Sequence, residues 1–148
     1  MNRTILIALG LTAVVALTTI PACAQAAKEK GSEPHSHFIK IPATVEGIWQ
    51  EIHKQQTRLV STVARKDLGE AHDHAFAIRD LVKALPAKVA PEHKSAAEAG
   101  AKEITKLAAA IDKSGAARAQ KTTEAGVKQM GEAVLALEAK LKPAGGKK

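Results

Sequence analysis

Apolar residues recur every three or four positions along most of this chain, which is the period of an α-helix with one buried face. Much of the apolar fraction is alanine, and aromatic residues make up only 2% of the chain, with Phe38, Trp49 and Phe76 as the complete set. Alanine has the highest helix propensity and little value in strands. No alternation of β-branched and polar residues is sustained at the period of a strand. The pattern therefore predicts an all-α protein.

The first residues predict export. Arg3 provides a positive start, an apolar run follows over residues 5–20, and the segment PACAQA provides small residues for cleavage. Cleavage after Ala24 removes a signal peptide of residues 1–24 together with Cys23, the single cysteine, so the mature chain has no disulfide. The alternative is lipoprotein processing, which leaves Cys23 acylated, although Pro21 fits that cut poorly. We expect an exported, periplasmic protein.

The first two helices are delimited by caps and a proline. Helix one has Thr44 as its N-cap and ends near Lys66, and helix two has Asp67 as its N-cap and stops at Pro86. Helical spacing places these residues on the buried faces: Val45, Ile48, Trp49, Ile52, Leu59, Val60 and Val63 in helix one, and Leu68, Ala71, Ala75, Ile78, Val82 and Leu85 in helix two.

The third and fourth helices follow the same pattern. Helix three begins around Pro91 and is closed by Gly115, while helix four covers residues 116–141 and ends before Pro143. The expected buried faces are Ala97, Gly100, Ile104, Leu107, Ala108 and Ile111 in helix three, and Val127, Met130, Val134, Leu137 and Leu141 in helix four.

Short connections make neighbouring helices antiparallel. Residues 44–142 are therefore predicted to form an up-down-up-down antiparallel four-helix bundle, in which small residues allow the helices to approach closely. Residues 25–43 and 143–148 lack periodicity and are rich in lysine, glycine, serine and proline. We expect a flexible tail before the bundle and a flexible basic tail after it.

A secreted bundle of this size, with the segment AIRDLVKALPAK in its second helix, resembles the cytochrome c prime superfamily and similar periplasmic four-helix proteins. The resemblance covers most of the mature chain and concerns shape and apolar pattern. It implies the architecture without the haem, because the C-x-x-C-H attachment motif has no counterpart in VKQMGEAVLALEAKLK. Related non-covalent haem proteins use Met on the first helix and His on the last, whereas here the first helix lacks Met and the last has Met130 but no His. A haem-binding bundle with an unusual ligand such as His53 is a third function hypothesis.

The segment HDH in helix two raises the question of a metal site. The side chains of His72 and His74 point about 200° apart on a helix, so they do not coordinate one metal ion together. His74 shares a face with Glu70, four residues earlier, and this pair is a possible two-ligand metal site, the alternative being a solvated pair. His72 lies beside Phe76, where a histidine packed on an aromatic ring is expected.

A second group of histidines is expected at one end of the bundle. His93 belongs to the first turn of helix three, at the end where the chain enters helix one, and the tail segment PHSH brings His35 and His37 to that end. The three side chains form the main candidate site for Zn²⁺ or Cu²⁺. The alternative is that all three are solvated.

Catalytic patterns are absent from the sequence. Ser61, Thr62 and Ser114 have no histidine at neighbouring helical positions, and no glycine-rich loop follows a strand, so we expect no enzyme. Gln56 lies in the apolar stripe of helix one and is expected to pair with Thr123 or Gln120.

The formal net charge of +7 bears on partners. Export argues against nucleic acid, so the basic surface favours either contact with an anionic envelope surface or simple solubility. Two main hypotheses remain: a protein that binds or buffers a divalent metal ion, copper or zinc, and a non-catalytic interaction or scaffold bundle whose partner is an envelope protein or surface.

Overall fold

A computed structural model describes residues 39–142. They form four α-helices, α1 (Val45–Ala64), α2 (Ala71–Ala84), α3 (Lys94–Ala116) and α4 (Gln120–Leu141), with short 3-10 helices at Leu85–Ala87 and Pro91–His93. No strand occurs in these residues, and the all-α prediction is confirmed. The predicted signal peptide, the tail up to residue 38 and the basic tail at 143–148 lie outside the described residues. None of the described helices has the combined length and apolarity needed to cross a bilayer.

The prediction for the start of α1 is confirmed, but that for α2 is wrong. The Thr44 hydroxyl oxygen accepts a hydrogen bond from the Gly47 amide at 3.1 Å, as expected of an N-cap. Asp67 is not the N-cap of α2, which begins at Ala71. The Asp67 amide instead donates to the Thr62 carbonyl oxygen at 3.1 Å, so this residue completes the end of α1.

The predicted end of α3 and start of α4 are also displaced. Helix α3 continues past Gly115 to Ala116, and the residue with positive φ is Arg118, at 53°. Gly115 serves a different purpose, because a Cβ added there would lie 2.6 Å from the Leu68 carbonyl oxygen. Glycine therefore lets α3 approach the turn before α2, and α4 begins only at Gln120.

Most residues predicted to face inward do so. All six predicted for helix two and all five predicted for helix four are buried, as are Ala97, Ile104, Ala108 and Ile111 of α3. Helix α1 contains two exceptions. Val60 is 57% exposed, and the buried glutamine is Gln55, 7% exposed, rather than Gln56. The buried stripe runs through positions 48, 52, 55, 59 and 62, so residues 56 and 60 lie beyond its edge.

Each helix contacts the next one, and α1 also contacts α4. Where α1 and α4 are in contact, their residue order is opposite. His53 lies beside Glu138, and Val63, further along α1, lies beside Gln120, which comes earlier in α4. The same holds for α3 and α4, where Gly100 faces Leu137 and Gly126 faces Ile111. The chain before α1 packs on this assembly, since Ile39 is partly buried against the core.

Candidate functional site

His74, in the first turn of α2, is oriented by a buried glutamine of α1. Its Nδ1 atom lies 2.9 Å from Oε1 of Gln55, and the amide nitrogen of Gln55 donates to Oε1 of Glu51 at 2.7 Å. Because the Glu51 carboxylate only accepts, the amide of Gln55 must turn its oxygen towards His74. The hydrogen of the neutral imidazole is therefore on Nδ1, and the lone pair on Nε2. Nε2 has no hydrogen-bonding partner within residues 39–142.

The surroundings of His74 favour its neutral form. Burial lowers the pKa of the imidazole, and the positive charges of Arg58 and Arg65 act in the same direction. The carboxylates of Asp73 and Glu70 oppose the shift, but the pKa stays below the ordinary value of 6.5. At neutral pH the ring therefore presents an uncharged nitrogen, which is the form that binds metal ions.

Glu51 completes this network on the side of α1. Burial alone would raise the pKa of its carboxyl group, but hydrogen bonds from Gln55 and Lys54 and the charges of Lys54 and Arg58 lower it. The carboxylate therefore stays ionised and keeps the Gln55 amide in place. The predicted partner of His74, Glu70, is exposed and precedes α2 at its N-cap position.

The main predicted trio is only partly described. His93 ends the 3-10 helix before α3 and is half-buried, whereas His35 and His37 lie outside the described residues. The ammonium group of Lys88 donates to the Ala43 carbonyl oxygen at 3.0 Å, which ties the connection between α2 and α3 to the chain entering α1. Within the described part of the chain, no group of three or more His, Cys, Asp or Glu side chains is arranged to hold a metal ion.

His53 belongs to a separate network between α1 and α4. Its Nδ1 atom lies 3.3 Å from Oε1 of Gln56, and its Nε2 atom lies 3.3 Å from Oε2 of Glu138. The His53 side chain is 45% exposed. Burial opposes ionisation of Glu138, but hydrogen bonds from Lys142 and His53 and their charges hold its pKa below the ordinary value. Both ring nitrogens of His53 are thus directed at protein oxygens.

The predicted partners of Gln56 are therefore wrong. The Thr123 hydroxyl lies 2.9 Å from Oγ of Ser114, and the Gln120 amide nitrogen donates to the Val63 carbonyl oxygen at 2.9 Å. The one-residue difference in the stripe of α1 explains this outcome, since Gln56 is at the edge of the stripe and reaches His53 on its own helix.

The expected packing of His72 is confirmed. Its ring meets that of Phe76 edge-on at a centroid distance of 6.0 Å, and its Nδ1 atom donates to the Gly69 carbonyl oxygen at 2.7 Å. His72 and His74 thus have separate partners. Gln55 was not predicted from the sequence as a functional residue, although the buried stripe of α1, continued from residues 48 and 52, passes through it.

A cleft at the end of the helices where α1 and α3 terminate was not anticipated from the sequence. It has a volume of about 610 Å³ and lies between the α1–α2 and α3–α4 connections. Lys66 and Arg118 both line it, and both have positive φ, 64° and 53°. The sequence did not indicate the left-handed conformation of Lys66 and Arg118, because glycine or asparagine normally occupies such positions.

Comparison with known proteins found no matching protein family, curated protein or solved structure.

Proposed function

We propose that this protein is an exported, non-catalytic helical protein that binds a divalent transition metal ion, copper or zinc, through histidine. The observation that carries the proposal is the contact between Nδ1 of His74 and Oε1 of Gln55 at 2.9 Å. Metal-binding histidines commonly donate the hydrogen of the other ring nitrogen to a nearby oxygen, which fixes the tautomer and the direction of the ligating lone pair.

Glu70 is the proposed second ligand. It lies four residues before His74, a spacing at which side chains share one face of a helix, and its carboxylate contributes to the electrostatic environment of the His74 ring. One imidazole and one carboxylate leave the remaining positions of the ion to water. Such an incomplete site favours reversible binding, as in buffering or transfer.

A second candidate site is the trio of His35, His37 and His93. It is supported by the hydrogen bond from Lys88 to Ala43, because this contact holds the connection that contains His93 close to the segment that follows His37. We retain the trio as an additional ligand set for the same class of ion.

The proposed architecture is an up-down-up-down antiparallel four-helix bundle. Support comes from the contacts of each helix with the next, and from the opposite residue order of the α1–α4 and α3–α4 contacts. Export is proposed from Arg3, the apolar run at 5–20 and the small residues that follow.

The alternative is a scaffold bundle that contacts an envelope protein or an anionic envelope surface through its basic exterior, without a metal. We do not propose haem binding, because both ring nitrogens of His53 face the oxygens of Gln56 and Glu138.

Calorimetric titration of the chain lacking residues 1–24 with Cu²⁺ and with Zn²⁺ tests the metal proposal. We expect a saturable event at pH 7.5 that weakens at least about tenfold in His74→Gln, since that variant removes the ligating nitrogen. His53→Gln is the matched control and should retain the affinity of the unmodified chain.

The combined variant His35→Ala, His37→Ala, His93→Ala tests the second site. Loss of a separate binding event in this variant, with retention of the event sensitive to His74→Gln, supports two sites. Binding that is unchanged in both variants, or no saturable binding at all, would favour the scaffold alternative.

A further inference from the structure

Gly131, in the middle of α4, is not explained by packing within the described chain. Two other glycines are, because an added Cβ would lie 2.5 Å from a side-chain atom across the α3–α4 contact at Gly100 and 3.0 Å from one at Gly126. At Gly131 the nearest atom would be Nε2 of Gln56 at 3.9 Å, which is an ordinary contact. Glycine destabilises a helix interior relative to alanine. The residue therefore leaves open space on the surface of α4 that no described side chain fills.

Large apolar side chains are exposed on both sides of this space. Leu135, four residues after Gly131, is 60% exposed. Val60 of α1 is also exposed and lies four residues after Gln56, the residue that faces Gly131. Residues four apart share one side of a helix. We call this surface the α1–α4 face, defined by Gln56, Val60, Gly131 and Leu135.

Gly131 and Leu135 belong to one stripe along α4. Its members follow one another at alternating intervals of four and three residues, which is the spacing of the contact seam in a coiled coil. Each comes one position after a buried residue of α4, so the stripe runs beside the core-facing side of the helix. Four members are exposed and two are half-buried. This outer stripe consists of Glu124, Lys128, Gly131, Leu135, Glu138 and Lys142.

The charges of the outer stripe are opposite in sign at equal distances from residue 133. Glu124 lies nine residues before it and Lys142 nine residues after it. Lys128 lies five residues before it and Glu138 five residues after it. If two such helices pack antiparallel and are centred at this level, each charge of one helix faces the opposite charge of the other.

The same centre aligns the apolar part of the stripe. Gly131 and Leu135 lie two residues before and two residues after residue 133, so in the antiparallel pair each leucine faces the open space at the other glycine. A parallel pair would set identical charges against each other and would leave that space empty, which is unfavourable on both counts. The sequence of the stripe thus favours the antiparallel arrangement.

Two of the four charges are available for such a contact. Neither Glu124 nor Lys128 forms an ion pair with any residue that the structure describes. Glu138 and Lys142 pair with each other at 3.1 Å. A second copy would bring its free lysine to the acidic end of that pair and its free glutamate to the basic end, which produces a network of alternating charges.

We propose that two copies of this chain form an antiparallel dimer through their α1–α4 faces, with the two-fold axis level with residue 133 of α4. Leu135 fills the space at Gly131 of the partner subunit, and Lys128 faces Glu138 of the partner subunit. A two-fold dimer uses the same patch on both copies, so one helix must contain both halves of each contact. His74 is bonded to Gln55 on the side of α1 that faces α2, and the dimer therefore does not depend on metal binding.

Sedimentation equilibrium of the whole chain at pH 7.5 tests the proposal, in the presence of EDTA so that no metal ion bridges two copies. We expect a reversible monomer–dimer equilibrium with a dissociation constant of about 1–100 μM, since one pair of helices from each copy buries less surface than a standard interface. A chain that stays monomeric at about 1 mM, or that forms larger assemblies without a dimer, would overturn the proposal.

Two variants act on the apolar contact. Leu135→Lys removes the exposed leucine, and Gly131→Leu fills the space that receives it, so each should weaken dimerisation at least about tenfold. At concentrations where the chain is monomeric, Gly131→Leu should unfold at no lower urea concentration than the unmodified chain, because leucine favours the helix more than glycine does. Ala110→Lys, at an exposed site of α3, adds the same charge as Leu135→Lys and should leave dimerisation unchanged. Unchanged dimerisation in both α4 variants would place the contact elsewhere and overturn the proposal.

A charge reversal tests the register of the two helices. Lys128→Glu sets a carboxylate against Glu138 of the partner subunit and should weaken dimerisation at least about fivefold at low salt. Lys102→Glu makes the same change of net charge at an exposed site of α3 and is the matched control, which should have no such effect. Equal weakening by the two variants would mean that net charge alone is responsible, and would overturn the proposed register.

Discussion

Gln55 and His74 form a hydrogen bond of 2.9 Å between the middle of α1 and the first turn of α2. The contact joins residues 19 positions apart and belongs to a chain of three polar groups that ends at Glu51. Burial and two nearby arginines lower the pKa of His74, so the ring is neutral in the folded protein under conditions that protonate it in the unfolded chain. The first two predictions follow from this contact.

The lowered pKa of His74 predicts a pH dependence of stability. The unfolded chain takes up a proton at a pH near the ordinary value of 6.5, whereas the folded protein does so only at lower pH. Stability is therefore fully present above about pH 6.5 and decreases as the pH falls through the folded-state pKa. Urea unfolding between pH 5 and 7.5 should show a smaller decrease for His74→Gln than for the unmodified protein. If the free energy of unfolding decreased equally with pH in the two proteins, the pH dependence would not come from His74.

Replacement of the two neighbouring glutamines by leucine should have unequal effects. Gln55→Leu removes the oxygen bound by His74 and the donor bound by Glu51, and we expect a loss of about 1–2 kcal/mol in the free energy of unfolding. Gln56→Leu, at the edge of the stripe, should change it by less than about 0.5 kcal/mol. The comparison is made by urea unfolding at pH 7.5. An equal or larger effect of Gln56→Leu would place Gln56 in the buried network instead.

Gly115 and Gly69 form a matched pair for testing the close approach of the two loops. A Cβ at residue 115 would lie 2.6 Å from the Leu68 carbonyl oxygen, whereas one at residue 69 meets nothing within 4 Å. We expect Gly115→Ala to lower the free energy of unfolding by about 1–3 kcal/mol, because a backbone atom must move. Gly69→Ala should be neutral or raise it by up to about 1 kcal/mol. Thermal unfolding of both variants checks the prediction, which fails if Gly115→Ala is as stable as Gly69→Ala.

The left-handed positions should be stabilised by glycine. We expect Lys66→Gly and Arg118→Gly each to raise the free energy of unfolding by about 0.5–1 kcal/mol, since glycine adopts positive φ without a steric penalty. Lys106→Gly, at an exposed site inside α3, should instead lower it by about 1 kcal/mol. Urea unfolding measures all three. A loss of stability in both left-handed variants would mean that the basic side chains make stabilising contacts which outweigh the backbone strain.

Within residues 39–142, the four α-helices and most of their buried faces were determined by the sequence alone. The three- and four-residue spacing of apolar side chains correctly predicted the buried residues of α2 and α4, such as Ile78 and Met130, because amphipathic spacing directly reflects which face of a helix leaves water. The pairing of Glu70 with His74 was also predicted from helical spacing, but Glu70 precedes α2 at its N-cap position, so the pairing stays a prediction.

The ends of the helices and the partners of polar groups were decided by tertiary structure. Asp67 looks like an N-cap in the sequence, yet its amide completes the end of α1. Gly115 looks like a helix terminator, yet it lies inside α3 where the turn at Leu68 comes close. At Gly115 the deciding contact joins separate elements, because only a residue without a Cβ allows the Leu68 carbonyl oxygen to come this close. The pairing of Gln55 with His74 and the meeting of Lys66 with Arg118 at one cleft depend on how separate helices are aligned, and local spacing carries no information about that alignment.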